Sequence, residues 1–542
     1  MVMGTTMDGS KEEKMPPAKM PKPKILRPLG DLERFEAAML ALDLYRSSMV
    51  ICRFSIPTEF LSVDSHAELE QKVESAIAKI VLDHSLLRVG LYGEHKRKPA
   101  FVELEAVDFS RHVEWQRVEK ATNYEDELMN TIQGHLDVKV EQPEDAPSWR
   151  VLVLQFQGGT FLDVLFEWGH AHIDGISAKL FFEDLLRNLN DSSAARPEEF
   201  KNRILTIPLE KRRDLLPALH SLCKFPISMG YALSTLWKEL KPPCLVGKSH
   251  SRANWAPIRL QPYTTQSRYF NLDHATLQRV LGACRAHNTT LSGLIQALVL
   301  VSLATRLTPA QAHAFATSTI VNLRPILASC STYLQSRNVD PKHTMANFMT
   351  VVEHEFGTDL VAKIRTIADQ TSGEKDSTEK TMAALDEYIW PTAQRVRADL
   401  QRRLDIGPKN DMMGLMKFIP DYRTLFKDWV KKPRAHAFAL TNLGVIDGDP
   451  SSPDAVVENV GYEGGREVDN KSEDRDKWTI NRAIFSISPE AHGAAFCMCP
   501  MAVKGGELYV SCDWLDCVVD VALGEGLVAD LEAWLRYFGR PT

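Results

Sequence analysis

Phe161-Leu162-Asp163-Val164-Leu165-Phe166-Glu167-Trp168-Gly169-His170-Ala171-His172-Ile173-Asp174-Gly175 joins an apolar, aromatic-rich run to a short polar cluster. The run 161–168 reads as a buried strand. After Gly175, the residues Ile176, Leu180, Phe181, Leu185 and Leu189 recur at helical spacing, so a helix with one apolar face follows at once. His170 and Asp174 therefore fall in the connection between a buried strand and a buried helix, where a rigid frame can hold reactive side chains in a loop. An imidazole near its reference pKa of about 6.5 can take a proton at neutral pH. His170 is the candidate general base. Asp174, at the mouth of the helix, can pair with an arginine and fix the loop. Gly175 would allow a turn that a Cβ resists. His172 would share a face with His170 in an extended loop, but local packing is the simpler expectation for it. Such a short pattern also arises by chance; its place between strand and helix gives it weight.

On the N-terminal side, 151–156 and 161–168 flank Gln157-Gly158-Gly159-Thr160, a hairpin signal. Strands are expected at 49–56, 89–92 and 100–105, and helices at 31–46 and 66–82. Residues 1–24 are rich in Lys and Pro and read as a disordered N-terminal segment. An N-terminal domain is expected over 25–240. Pro242, Pro243, Gly247, Pro257 and Pro262 interrupt any periodicity over 241–266, the candidate linker. A C-terminal domain is expected over 267–542, with strands at 268–272, 315–322, 435–445, 479–487, 494–502 and 507–513. Its expected helices are 275–287, one opening at 290–292, and 527–538; 372–380 reads as a polar surface loop.

The chain has 542 residues, 44% hydrophobic and 25% charged, so two large globular domains are expected. A net charge of −7 supplies no basic excess for nucleic acid. Nine cysteines are few for this length, and Cys497-x-Cys499 lacks further ligands at zinc spacing. No metal site is expected, and all nine read as reduced thiols of a cytoplasmic protein. No apolar signal-peptide core opens the chain. Leu291 to Leu303 is interrupted by Ser292, Gln296 and Ser302 and falls short of the ~20 apolar residues of a membrane span, so it reads as a buried helix and no integral membrane segment is expected. Gly247-Lys248-Ser249 lacks the earlier glycine of a phosphate loop. Lys431-Lys432-Pro433-Arg434 reads as a solvated loop rather than a phosphate clamp. Trp168 and Trp514 fit core packing as well as a channel wall. The C-terminal helix reads as docked on its own domain rather than on lipid.

Further stretches fall in a telling order: Arg27-Pro28-Leu29-Gly30 with Glu33; His84-Ser85-Leu86-Leu87-Arg88; His170-x-x-x-Asp174-Gly175; His287-Asn288-Thr289-Thr290-Leu291-Ser292; Val321-Asn322-Leu323-Arg324-Pro325; and Leu440-Thr441-Asn442-Leu443-Gly444. Each is weak alone. Together, from residue 27 to about 520, they resemble the fungal alcohol acetyltransferase family, which includes trichothecene 15-O-acetyltransferases. That family is part of a superfamily with chloramphenicol acetyltransferases, plant BAHD acyltransferases and peptide-synthetase condensation domains.

The resemblance implies an α/β fold of two chloramphenicol-acetyltransferase-like domains, each a mixed sheet covered by helices, with an active-site tunnel at their interface. It implies acetyl-CoA as co-substrate, no bound cofactor, and a small-molecule alcohol as acceptor. His170 would deprotonate the acceptor hydroxyl. Asp174 would turn away and pair with Arg324. Thr441 stands where the superfamily places an oxyanion-stabilising serine; its methyl restricts the rotamer, and Asn442 could substitute through its amide. A tunnel within one chain points to a monomer. The chain has Gly169 where condensation domains carry a second histidine, and it lacks the plant D-F-G-W-G. The expected activity is O-acetylation of a terpenoid or polyketide hydroxyl. A volatile-ester enzyme acting on short alcohols, or a silent binder of the same fold, are the alternatives.

Overall fold

The computed structural model describes residues 23–62, 65–118, 124–156, 158–191, 196–240, 249–260, 264–371, 377–449 and 476–541. All but the last two residues of the expected disordered segment 1–24, and 241–248 and 261–263 of the expected linker, lie outside the described residues.

Apolar and aromatic runs buried on both faces build two mixed sheets, as in Phe161–Trp168, Phe496–Val503 and Leu508–Leu515. The first runs in the order Thr479–Ile487, Ser48–Ser55, Phe161–Trp168, Trp149–Phe156 and Val113–Val118. Its neighbours are antiparallel except the last pair, which is parallel. The second runs Thr265–Leu272, Leu508–Leu515, Phe496–Val503, Phe438–Leu440, Phe315–Asn322 and Met349–Phe356, with Gly444–Ile446 also paired to Phe496–Val503. Helices cover both. Gly175–Asn190 packs on His66–Asp83 and on the strand Ser48–Ser55. Leu291–Arg306 is buried at every position from Gly293 to Ala304, because Thr358–Thr371, Ser377–Ile406 and Val521–Phe538 surround it. Its unbroken apolarity is thus that of a core helix. Among the described residues no single helix is long and apolar enough to cross a membrane. The C-terminal helix Val521–Phe538 buries Leu527, Leu531, Trp534 and Leu535 against its own sheet and helices. Trp168 and Trp514 are fully buried.

Four expectations need correction. Thr479–Ile487 leaves the C-terminal half and adds a strand beside Ser48–Ser55. A break at 241–266 therefore does not separate the two sheets, and nothing in the alternation of a strand says which edge it will join. The loop expected at 372–380 becomes, from Ser377, the start of a 30-residue helix, Ser377–Ile406; the polar residues sit on a helix end, and 372–376 lie outside the described residues. The strand expected at 435–445 is broken into Phe438–Leu440 and Gly444–Ile446, because Gly444 has φ +76° and its N–H turns to Asn442 Oδ1 at 2.8 Å. Finally, Cys223 and Cys330 form a disulfide across a sequence separation of 107. Folding sets the turn after Leu219–Leu222 against the helix Arg324–Cys330. Reading all nine cysteines as thiols therefore fails, and with it the thiol argument for a reducing compartment.

Because Thr479–Ile487 belongs to one half by sequence and to the other by hydrogen bonding, the two sheets should unfold together. Ile484→Ala, at a side chain 1% exposed, is expected to cost about 2–5 kcal/mol and to shift a single urea transition. Two separated transitions in the variant would show that the strand does not couple the sheets.

Candidate active site

The strand Phe161–Trp168 ends at Gly169, whose N–H donates to Ser148 O at 2.9 Å. A Cβ at Gly169 would lie 2.2 Å from Ser148 Oγ and 3.1 Å from Ser148 Cβ, so a side chain here would require the Ser148 hydroxyl to rotate away from Glu141 O, to which it donates at 2.8 Å. A turn closes through His172 N–H to Gly169 O at 3.0 Å, so the loop is not extended and the two histidines part. His170 is half-buried beside Tyr45 and Trp168, with ring centroids 6.0 and 6.4 Å away. His172 instead packs its ring 5.0 Å from Phe101, and burial pushes its pKa down to about 4. It is a neutral core residue.

Asn347 holds His170. Its Nδ2 donates to the His170 carbonyl at 2.7 Å and sits 3.4 Å from His170 Nδ1. Burial lowers the His170 pKa below 6.5, opposed in part by the charge of Asp174. The imidazole is therefore neutral at pH 7 and able to accept a proton.

Asp174 is the N-cap of the helix Gly175–Asn190. Its Oδ1 accepts from the Ser177 N–H and hydroxyl, both at 2.8 Å, and from Arg324 Nη2 at 3.0 Å. Its Oδ2 accepts from Arg324 Nη1 at 2.7 Å and from the Phe348 N–H at 2.9 Å. Burial alone would raise this carboxyl, but the Arg324 charge and the surrounding donors outweigh it and hold the pKa below 3.8. Asp174 is thus a fixed anion, 3% exposed, facing Arg324 at 1%. Arg324 spends its remaining donors on Thr344 O, Ala346 O and Asn322 Oδ1. One fork therefore ties the histidine loop to the end of the strand Phe315–Asn322 and to residues 344–348.

Gly175 has no positive φ; it is the first helical residue. Its role is close packing rather than a turn: a Cβ there would lie 2.7 Å from Leu443 Cδ2 and 3.6 Å from Phe485 Cζ. That contact brings the Thr441-Asn442-Leu443 bend against the mouth of the histidine loop's helix. Thr441 donates its N–H to Met498 O at 2.8 Å and is half-buried. Asn442 gives Nδ2 to Ser292 Oγ at 3.0 Å and Oδ1 to the Gly444 N–H. Its amide shapes the bend.

A narrow cleft, with room of only about 20 Å³, lies along residues 346–348. Leu86, Leu216, Phe225, Met413 and Met416 make its walls apolar, while Arg27, Glu33, His220 and Asn347 add polar groups. Arg27 and Glu33 are paired at 2.7 Å, with Glu33 also accepting from the Gly30 N–H. Asn347 Oδ1 is buried without a partner among the described residues. Arg434 is 1% exposed and donates to Ala256 O, Gly493 O and Ala491 O. It is a buried clamp, not part of a solvated basic loop. Asn347, Phe348 and Ser177 escaped the sequence reading: Ser177 looks like any helix residue, and Met345-Ala346-Asn347-Phe348 is remarkable only once folded against the loop.

Arg324→Ala would leave a buried carboxylate with its charge partner gone, and a loss of about 3–5 kcal/mol is expected in urea denaturation. Arg324→Lys keeps the charge without the two-pronged geometry and should fall between. Wild-type stability in Arg324→Ala would mean that the pair does not hold the loop.

The family described as alcohol acetyltransferase matches residues 111–390, just over half of the chain. The chain is 27% identical over 531 residues to "Probable alcohol acetyltransferase FCK4" of Fusarium pseudograminearum, covering 95% of this chain and 96% of that one. It is 21% identical over 512 residues to "Probable alcohol acetyltransferase crmB" of Aspergillus fumigatus, covering 91% and 95%. Among solved structures, the TRI3 trichothecene 15-O-acetyltransferase of Fusarium sporotrichioides superposes with a TM-score of 0.65 at 12% identity, covering 94% of each chain. The first condensation domain of the calcium-dependent antibiotic synthetase gives 0.53 at 13% identity, covering 95% of each. The architecture is that of two chloramphenicol-acetyltransferase-like domains, and the chain belongs to the alcohol acetyltransferase family.

Proposed function

We propose that the protein is an acetyl-CoA-dependent O-acetyltransferase that esterifies a hydroxyl of a small, largely apolar molecule, a fungal secondary metabolite of terpenoid or polyketide type, with His170 as general base. The observation that carries this is the neutral His170 imidazole, fixed by Asn347, a residue that also lines the cleft. The structural neighbour from Fusarium sporotrichioides, a trichothecene 15-O-acetyltransferase, supports the acceptor class.

In this mechanism the acceptor hydroxyl gives its proton to His170 as its oxygen attacks the thioester carbonyl of acetyl-CoA. A tetrahedral oxyanion forms, and the Thr441 hydroxyl is the candidate donor to it. Collapse expels the CoA thiolate, which takes the proton back from the imidazolium. Asp174 takes no part in proton transfer, because its oxygens are saturated by Arg324, Ser177 and Phe348. It sets the position of the loop and, through its charge, raises the basicity of His170. The parts come from both halves of one chain, so a monomer suffices.

His170→Ala should lower kcat by roughly 10²–10⁴-fold while leaving the urea midpoint unchanged. Thiol release from acetyl-CoA, with mass spectrometry of products across terpenoid, polyketide and simple alcohols, reads this directly. An unchanged rate overturns the assignment. The pH profile gives a second check. The base works only when neutral, so kcat/KM should fall as pH drops through the lowered His170 pKa, placing the acid limb below 6.5. Asn347→Asp puts a carboxylate beside the imidazolium, favours the protonated form and should move that limb to higher pH. A limb that stays in place would detach Asn347 from His170.

A further inference from the structure

Glu36 lies on the helix Asp31–Ala41 and is 3% exposed. It makes no hydrogen bond or ion pair among the described residues, and neither of its oxygens is sealed, so its carboxyl borders open space inside the fold. Its neighbour Glu33 differs: that carboxylate is bound twice by Arg27 and once by the Gly30 N–H. A buried carboxyl with nothing bound to it costs stability. Glu490 stands close by. Its segment is held against the approach to the strand Ser48–Ser55, where Ala491 N–H donates to Leu44 O at 2.7 Å and Ser488 N–H to Ser47 O at 2.9 Å. The Glu490 side chain is 40% exposed, yet burial pushes its pKa up to about 7. That combination describes a group facing an enclosed space rather than bulk water. His492 Nε2 lies 3.9 Å from Glu490 Oε2, too far for a hydrogen bond, and is neutral, with burial pushing its pKa down to about 4.

Aromatic packing brings the two acids together. Phe35, beside Glu36 in the helix, and His492 both pack on Phe426, with ring centroids 4.9 and 5.1 Å away. After burial, the charge of Glu490 is what raises the Glu36 pKa, and both carboxyls bear on the Tyr45 hydroxyl. Tyr45 in turn packs 6.0 Å from the His170 ring and shares a hydrogen bond with Ser48 Oγ at 2.5 Å. Two unbonded carboxyls therefore flank a space that begins beside the base. Its charge is balanced. Burial and Glu490 favour the protonated form of Glu36. Arg434 offsets the charge of Glu490, while its own donors go to the carbonyls of Ala256, Gly493 and Ala491. Such a place does not call for a cation. It suits a neutral group that both donates and accepts, which is a hydroxyl.

We propose that Glu36 and Glu490 bind a second hydroxyl of the acceptor, remote from the one that His170 deprotonates, so that the enzyme selects polyhydroxylated over monohydroxylated molecules. This rests on the acetyl-transfer reading of His170. Glu36, as the acid, donates to the oxygen of that second hydroxyl, and Glu490 accepts its hydrogen bond. Both are specificity-determining groups and take no part in proton transfer at the reacting oxygen. An acceptor lacking the second hydroxyl leaves both carboxyls unbonded in a closed site, and a site built to bond a hydroxyl discriminates strongly against its absence.

Thiol release from acetyl-CoA by the full-length protein tests this with matched acceptors: a dihydroxylated against a monohydroxylated trichothecene, and 8-hydroxygeraniol against geraniol. The wild type should favour the diol of at least one pair by at least about tenfold in kcat/KM. Glu36→Leu should abolish that preference, chiefly by raising KM for the diol. Glu36→Gln, which keeps a donor and an acceptor, should retain part of it. A purely structural role would instead lower kcat for both members alike. Because it removes an unbonded buried carboxyl, Glu36→Leu should also raise the urea midpoint. Equal kcat/KM within every pair that is turned over, a preference that survives Glu36→Leu, or a lowered urea midpoint in both variants each overturns the proposal and leaves His170 as base. If the wild type acetylates none of these and none of the wider alcohol panel, the acetyl-transfer reading itself fails, and this proposal falls with it.

Discussion

One buried ion pair organises the centre of this protein. Asp174 and Arg324 are 150 residues apart in sequence and meet through two charge-assisted hydrogen bonds. Taking both charges out of water costs several kcal/mol per ion, so the pair is a poor source of net stability. What it supplies is a defined geometry. Every oxygen lone pair of Asp174 that faces the protein is used, and Arg324 binds the carbonyls of Thr344 and Ala346 as well. Any displacement of the histidine loop relative to the second sheet would strand a buried charge. The alignment of the two halves is therefore steep in energy at the histidine loop.

The division of labour between His170 and Asp174 follows from the same arrangement. A carboxylate saturated by four donor groups holds a fixed charge and cannot trade protons. An imidazole that is only half-buried, with burial lowering its pKa and Asp174 partly restoring it, remains neutral yet basic. Close backbone approaches complete the frame. Ser148 packs closely on residue 169 and Leu443 on residue 175, so a side chain at either would have to displace its neighbour. The loop is thus shaped as much by what its glycines exclude as by what its polar residues bind.

The two sheets share more than this pair. Thr479–Ile487 pairs with Ser48–Ser55, while Phe485 stacks on Trp168 with ring centroids 6.4 Å apart. A long-range strand of this kind gives the two halves one hydrogen-bonded core. The outer helix Met229–Leu240 stands in contrast, with its apolar face turned to solvent. Amphipathic spacing alone would have assigned that face to the interior.

Much was legible in the sequence because it depended on local periodicity. The strand at 161–168 and the core helix from Leu291 follow from largely apolar runs, and the helix beginning at Gly175 from a spacing of three to four residues. The His170-x-x-x-Asp174-Gly175 cluster could be placed between strand and helix for the same reason, and the ordered motifs pointed to the family and to Arg324. The edge chosen by Thr479–Ile487, the Cys223–Cys330 bond, the parting of His170 from His172 and the service of Asn347 to the histidine were not legible. Each depends on which distant segments come into contact, and periodicity specifies only which face of an element is buried, never what it is buried against. Local patterning specified the elements and the chemistry available to them, because it depends on neighbours in the chain; which groups are neutral, which are saturated and which distant segments meet was settled by long-range packing, which brings together residues that no local pattern links.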